Sequence, residues 1–185
     1  MSNKPASQSH DPFVMDVQKI RDQARKHMSD GPVTQSYGAD RQTVLKLLND
    51  ALATEIVCVL RYKRHHFMAK GINSEAVAAE FAEHATEEQE HADRFAERIV
   101  QLGGEPDFAP DGLKTRSHSE YKEGDNLTDM IRENLIAERI AIDTYRAIIH
   151  YLGENDVTTR RIFEEVLAVE EEHADDMADL LEGRQ

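Results

Sequence analysis

Glu87-Glu88-Gln89-Glu90-His91-Ala92-Asp93-Arg94 and Glu170-Glu171-Glu172-His173-Ala174-Asp175 are the two stretches that decide how this sequence is read. Each contains Glu-x-x-His, a spacing that sets a carboxylate and an imidazole one turn apart on the same face of a helix. One such motif is weak, because a chain with 36 Asp and Glu and 9 His can supply it by chance. Two of them, at equivalent places in two hairpins, call for a common explanation.

The chain around the motifs reads as helix. Val44, Leu48, Ala51, Leu52, Ile56, Val59 and Leu60 lie on one side of a segment expected from about Asp40 to Lys70. Gly71-Ile72-Asn73 breaks it, Ser74 with Glu75 starts a second helix, and Gly103-Gly104 closes that one after Leu102. A polar connection spans 103–126. A third helix then runs from near Asn126 to before Gly153, and a fourth from about Asp156 to Leu181. Tight turns make antiparallel hairpins of the first and second helices and of the third and fourth. The middle connection is long enough to traverse a bundle, which predicts an all-α four-helix bundle with one long crossover. Ahead of it, Asp11-Pro12 reads as a capped helix start, and Phe13, Val17, Ile20, Ala24 and Met28 form one apolar stripe on a short helix that Gly31-Pro32 ends. The expected division is an N-terminal arm over 1–40 and a bundle over 41–183.

In an antiparallel hairpin, residues at one level are equidistant from the turn. The midpoint of Glu55 and Glu88 is 71.5, within the Gly71 turn, and that of Glu138 and Glu170 is 154, within Gly153-Glu154-Asn155. The two halves also repeat. An offset of 83 carries Glu55 to Glu138 and Tyr62 to Tyr145, while 82 carries His91 to His173 and Phe81 to Phe163. Glu55, Glu88, His91, Glu138, Glu170 and His173 thus form an inward-facing set of four carboxylates and two imidazoles, the donor set of two-metal carboxylate bundles. Four carboxylates neutralise two divalent cations and can bridge them, and the donor types suit iron and manganese alike. Burying six ionisable groups without metal would be costly.

These residues resemble the bacterioferritin and ferritin-like family over about 43–182. Residues 87–94 with Glu97-Arg98-Ile99 look like the bacterioferritin second helix, and 170–175 like its fourth. The resemblance implies a ferritin-like di-iron bundle in which the six residues are ferroxidase ligands. Glu88 and Glu170 would bridge, Glu55 and Glu138 would be terminal, and Tyr62 would stand beside the metals. Bacterioferritins place a haem-ligating methionine directly after the first Glu of the motif. Here that residue is Gln89, so no haem is expected. No fifth helix is expected after the fourth. With the added N-terminal helix, this is similar to the twelve-subunit mini-ferritins (Dps-like), in the variant with a bacterioferritin-type site inside the bundle.

Composition narrows the classes. At 39% apolar and 31% charged residues the chain reads as globular, and no apolar run approaches the roughly 20 residues of a membrane helix. Met1 to Asp11 lacks the apolar core of a secretory signal, and a lone Cys58 excludes a disulfide framework, so a cytoplasmic site of action is expected. A net charge of −14 repels nucleic acid and attracts cations. The small basic patch of Lys19, Arg21, Arg25 and Lys26 is therefore read as an exposed helix face rather than a DNA contact. His84, at i−4 from Glu88, reads as a solvated histidine, and Asn134, at i−4 from Glu138, as a partner for a ligating imidazole.

The function expected is ferroxidase activity and iron storage. Fe(II) would be oxidised by dioxygen or peroxide at two iron sites per subunit (manganese being the other metal the ligands suit), and Fe(III) stored in a hollow homo-oligomer. Twelve subunits are expected, with twenty-four as the other closed cage. The competing reading is a di-metal redox enzyme that stores nothing, such as a rerythrin-like peroxidase or a manganese catalase. The absence of a Cys-x-x-Cys module weighs against the former.

Overall fold

The computed structural model describes residues 14–72 and 74–183. Its elements are α1 (Val17–Gln23), a 3₁₀ turn (Met28–Asp30), α2 (Arg41–Met68), α3 (Ser74–Gln101), α4 (Pro110–Arg116), α5 (Leu127–Leu152) and α6 (Val157–Glu182). Among the described residues there is no strand, and no helix is long and apolar enough to cross a membrane. Side-chain caps set three of the four long starts. Asp40 accepts the Thr43 N–H at 3.1 Å, Asn126 that of Asp129 at 3.0 Å, and Asp156 that of Thr159 at 2.9 Å. Gly153, at φ +45°, ends α5 in a conformation that side chains other than hydrogen rarely adopt.

α2 pairs with α3 and α5 with α6, as the tight turns require. Between hairpins, Tyr62 on α2 reaches Glu138 on α5 while Tyr145 on α5 reaches Glu55 on α2, so these two helices are antiparallel. Contacts of Arg94 with Glu165 and of Arg98 with Asp156 make α3 and α6 antiparallel too. Leu127 and Met130, at the start of α5, pack with Val77 and Phe81 near the start of α3. The 103–126 connection has therefore crossed the length of the bundle, as its length predicts.

Two apolar clusters fill the interior. One contains Leu48, Leu52, Phe95, Tyr145, Phe163 and Val166, the other Tyr62, Phe81, Ile131 and Met177. On every long helix the six candidate site residues fall between them. Each large side chain so buried contributes about 1.5–3 kcal/mol, enough in aggregate to hold a polar layer that disfavours folding by itself.

Three local expectations change. The N-terminal stripe does not form one helix: α1 starts at Val17 with Asp16 as its cap, and Met28 falls in the separate 3₁₀ turn. None of α1 is buried, so no packing holds the stripe together. Asp11, Pro12 and Phe13 lie outside the described residues. The stretch before α2, which the sequence leaves as part of the arm, is tied to the bundle: Val33 and Tyr37 pack on the core and the Tyr37 hydroxyl donates to Asp156 at 2.8 Å. The crossover, read as a plain connection, contains α4, which has Pro110 in its first turn and is anchored by Leu113 against Ala53 and Val57.

Candidate metal centre

Glu55, Glu88, His91, Glu138, Glu170 and His173 are all buried and converge at mid-bundle. Their donor atoms form two groups, Glu55–Glu88–His91–Glu170 and Glu88–Glu138–Glu170–His173, in each of which the atoms lie within 4.8 Å of one another. Glu88 and Glu170 belong to both, so they lie between the other two pairs. His91 Nδ1 is 3.0 Å from Glu170, 3.6 Å from Glu88 and 3.8 Å from Glu55. His173 Nδ1 is 3.7 Å from Glu88 and 3.9 Å from Glu170, while its Nε2 meets Glu87 at 2.7 Å.

The donor set fits a pair of divalent cations. Among the described residues ten buried side-chain polar atoms have no hydrogen-bond partner, and seven belong to Glu88, His91, Glu138, Glu170 and His173. Buried polar groups are otherwise almost always paired, so orphans gathered at one point are free to serve as ligands. The outward-facing atoms, by contrast, are held. Tyr62 donates to Glu138 and Tyr145 to Glu55, so each half's tyrosine steadies the other half's glutamate. Phe81 packs on the Tyr62 ring and Phe163 on that of Tyr145, extending the pseudo-twofold repeat.

Without metal, protons balance the charge. Burial, with Glu88 beside it, pushes Glu55 well above the usual carboxylate range, and burial with Glu88, Glu55 and Glu138 does the same to Glu170. For Glu88 burial acts upward as well, but Glu55, His173 and His91 outweigh it and hold that carboxyl well below. Burial opposes charge on His91 and His173, yet the facing carboxylates carry them up to about 10 and about 9.

Other expectations are corrected. His84 is not solvated: it is 2% exposed, its Nδ1 lies 3.2 Å from the Tyr62 hydroxyl, and its ring stacks on His173 with centroids 3.9 Å apart. Asn134 does not touch His91 or His173. It accepts from Arg61 Nε at 2.8 Å and faces His65 Nδ1 at 3.2 Å. Arg61 passed unremarked in the sequence, yet it is fully buried beside Tyr62 and Cys58. Cys58 itself is buried. Gln89 turns from the centre and donates to Asp93 at 2.9 Å.

Residues 45–184 match the Ferritin family, described as a ferritin-like domain. The bacterioferritin of Desulfovibrio desulfuricans is 28% identical over 131 residues, 70% of this chain and 69% of that protein. That of Brucella melitensis is 30% identical over 135 residues, 71% and 78% of the respective chains. Among solved structures, the dodecameric thioferritin of Bacteroides fragilis, a bacterioferritin-related protein, aligns with a TM-score of 0.76 at 31% identity, covering 79% of this chain and 88% of that one. Dps from Thermosynechococcus elongatus, at 22% identity and a TM-score of 0.73 over 76% and 90%, shares the fold. With three quarters of its length matched and a four-carboxylate, two-imidazole layer at its midline, the chain belongs to the ferritin-like domain family.

Proposed function

We propose that the protein is a ferroxidase that oxidises Fe(II) and stores the product in a hollow homo-oligomer. The observation that carries this reading is the pair of four-donor groups sharing Glu88 and Glu170, with their inner atoms unpaired. Fe(II) is the substrate and binds as a pair. Glu88 and Glu170 span both positions, Glu55 and His91 complete one, and Glu138 and His173 the other. Ligation requires deprotonated donors, so loading releases the protons that His91 and His173 hold. Two Fe(II) give up two electrons, which reduce dioxygen and two protons to hydrogen peroxide, or hydrogen peroxide and two protons to water. Tyr62 and Tyr145 orient the terminal carboxylates. Haem forms no part of the proposal, because Gln89 offers no sulfur ligand.

The dodecameric relative and the family match support a cage, and the net charge of −14 suits a shell that draws cations inward. Aerobic mixing with Fe(II), and anaerobic mixing with Fe(II) and hydrogen peroxide, test the chemistry. Rapid oxidation by the wild type, at least about tenfold slower in Glu88→Ala, is expected, since loss of even supporting groups costs a metal site that much. Equal rates in the two proteins would overturn it. Native mass measurement tests storage: twelve or twenty-four times the 21.0 kDa chain is expected, whereas a dimer would favour the non-storage redox enzyme.

A further inference from the structure

Arg61 is fully buried, and the groups that hold it are neutral. Its Nε donates to Asn134 Oδ1 at 2.8 Å, its Nη1 to the Glu120 carbonyl at 3.3 Å and its Nη2 to Cys58 Sγ at 3.4 Å. Burial pushes the Cys58 thiol up, so the sulfur supplies no compensating charge. His65 Nδ1 meets the same Asn134 oxygen at 3.2 Å, and burial with Arg61 beside it pushes that imidazole down to about 4. Buried charges are normally paired, because taking a lone cation out of water is expensive. Asn134 sharpens the point. An aspartate has the same shape, could keep the bond to Nε and would cancel the charge. The asparagine instead leaves its own Nδ2 buried without a hydrogen-bond partner among the described residues.

The internal repeat shows that packing does not require this cluster. The offset of 83 that carries Glu55 to Glu138 and Tyr62 to Tyr145 also carries Cys58 to Ala141, Arg61 to Thr144 and His65 to Ile148, and it relates Asn134 to Ala51. Ala51, Ala141 and Ile148 all belong to the apolar core. The cation and its neutral partners therefore occur in one half of the fold only.

That half is the one next to Glu138. The guanidinium carbon is 5.6 Å from the centroid of the Tyr62 ring, and the Tyr62 hydroxyl donates to Glu138. Glu138 and His173 complete one of the two four-donor groups, whereas Glu55 and His91 complete the other. Beside Glu55 the equivalent tyrosine, Tyr145, packs against Phe95 and Phe163. A fixed positive charge thus faces one metal position across a single ring, and hydrocarbon faces the other. In a buried, weakly polarisable setting that charge repels a second cation.

We propose that Arg61 makes the two metal positions unequal by selectively loosening the hold of the Glu138–His173 position on its ion. The repulsion grows with the charge of the ion, so it is greater for Fe(III) than for Fe(II) and favours departure of the oxidised product from that position. The inference rests on the ferroxidase reading of the six residues and adds to it a residue that touches neither metal nor ligand. Glu87, which meets His173 Nε2 from the part-exposed side, acts in the opposite sense, but it is common to every variant compared below.

The test compares the full chain with Arg61→Met, which removes the charge, Asn134→Asp, which cancels it with Arg61 in place, and Arg61→Lys, which keeps it. Co(II) affinities come from titration, and the position of each ion from anomalous scattering by crystals soaked at less than one Co(II) per chain. Arg61→Met and Asn134→Asp are expected to bind Co(II) at Glu138–His173 at least about tenfold more tightly, with a smaller change at Glu55–His91. Arg61→Lys is expected to bind as the wild type does. Should Arg61→Met fail to fold, Asn134→Asp carries the same test with the buried side chain retained. Unchanged affinities, equal tightening at both positions, or a lysine variant that behaves like the charge-free one overturns the role of Arg61. A wild type that binds no Co(II) between Glu88 and Glu170 overturns the ferroxidase reading instead. After oxidation of two Fe(II) per chain, transfer of Fe(III) to an external chelator is expected to be several-fold slower from Asn134→Asp than from the wild type. An equal rate overturns the part of Arg61 in product release.

Discussion

Asp156 does several things at once. One carboxylate caps α6 through the Thr159 N–H and hydroxyl, receives Arg98 Nη2 at 3.0 Å, and accepts from Tyr37 at 2.8 Å. It thereby ties α3, α6 and the segment before α2 together at the end of the bundle. Burial acts to raise its pKa, but the Thr159, Tyr37 and Arg98 contacts outweigh burial and lower it below the usual 3.8. A carboxylate so depressed contributes stability above its unfolded pKa and loses it as pH falls through the folded one. Asp156→Asn keeps a capping oxygen and removes the charge facing buried Arg98. It is expected to cost about 2 kcal/mol at pH 7, the scale of a hydrogen bond to a charged group. Urea melts of both proteins from pH 7 downward check this: the difference should be full at neutral pH and shrink below about pH 4. A difference independent of pH would mean the charge is not what matters.

At the scale of elements, register decides which side chains meet. Gly153 turns α5 into α6, and its φ of +45° with ψ of −126° is a conformation nearly reserved for glycine. The nearest atom to an added Cβ is 3.8 Å away, so Gly153→Ala isolates the backbone cost from any clash. A loss of about 1–2 kcal/mol is expected from chemical denaturation, with the spacing of Glu138 and Glu170 preserved in a crystal structure of the variant. A neutral substitution would show that the turn relaxes freely. Turns such as this one explain why the layout was legible. Caps at Asp40, Asn126 and Asp156 and breaks at Gly71 and Gly153 are local signals, and the hairpin midpoints turn them into heights. The midpoints alone bring Glu55 level with Glu88 and Glu138 level with Glu170, which is where the helices hold them. What stayed hidden depends on partners from other helices. His84 sits among Glu80, Glu83 and Glu87 and looks solvated until Tyr62 and His173 close over it. Arg61 looks like a surface cation, but Asn134 and the Glu120 carbonyl hold it inside. α4 has one apolar anchor, Leu113, too little for any period to show.

The whole molecule is a bundle with an ionisable layer between two apolar clusters, and its stability should respond to metal. Apolar side chains such as Phe67 and Ile72, 77% and 91% exposed on the single chain, are surface that a cage could cover. Assembly and loading are separable, because the layer lies inside one chain. Glu170 is the residue with which to separate them. Burial and its carboxylate neighbours push its pKa well up, which favours the neutral side chain when no metal is bound. A glutamine in its place would reproduce that neutral, hydrogen-bearing side chain in nearly the same volume. Glu170→Gln should therefore leave the metal-free melting midpoint and the assembly mass unchanged. Mn(II), chosen because it resists air oxidation at neutral pH, should stabilise the wild type by about 2.7 kcal/mol at a hundredfold excess over its dissociation constant. For a chain of this length that is a rise of about 5–10 °C. The variant lacks one of the two carboxylates common to both donor groups and should lose most of the rise. A variant that melts far lower without metal would contradict the neutral state of Glu170, and an equal Mn(II) response in both proteins would remove Glu170 from the metal centre.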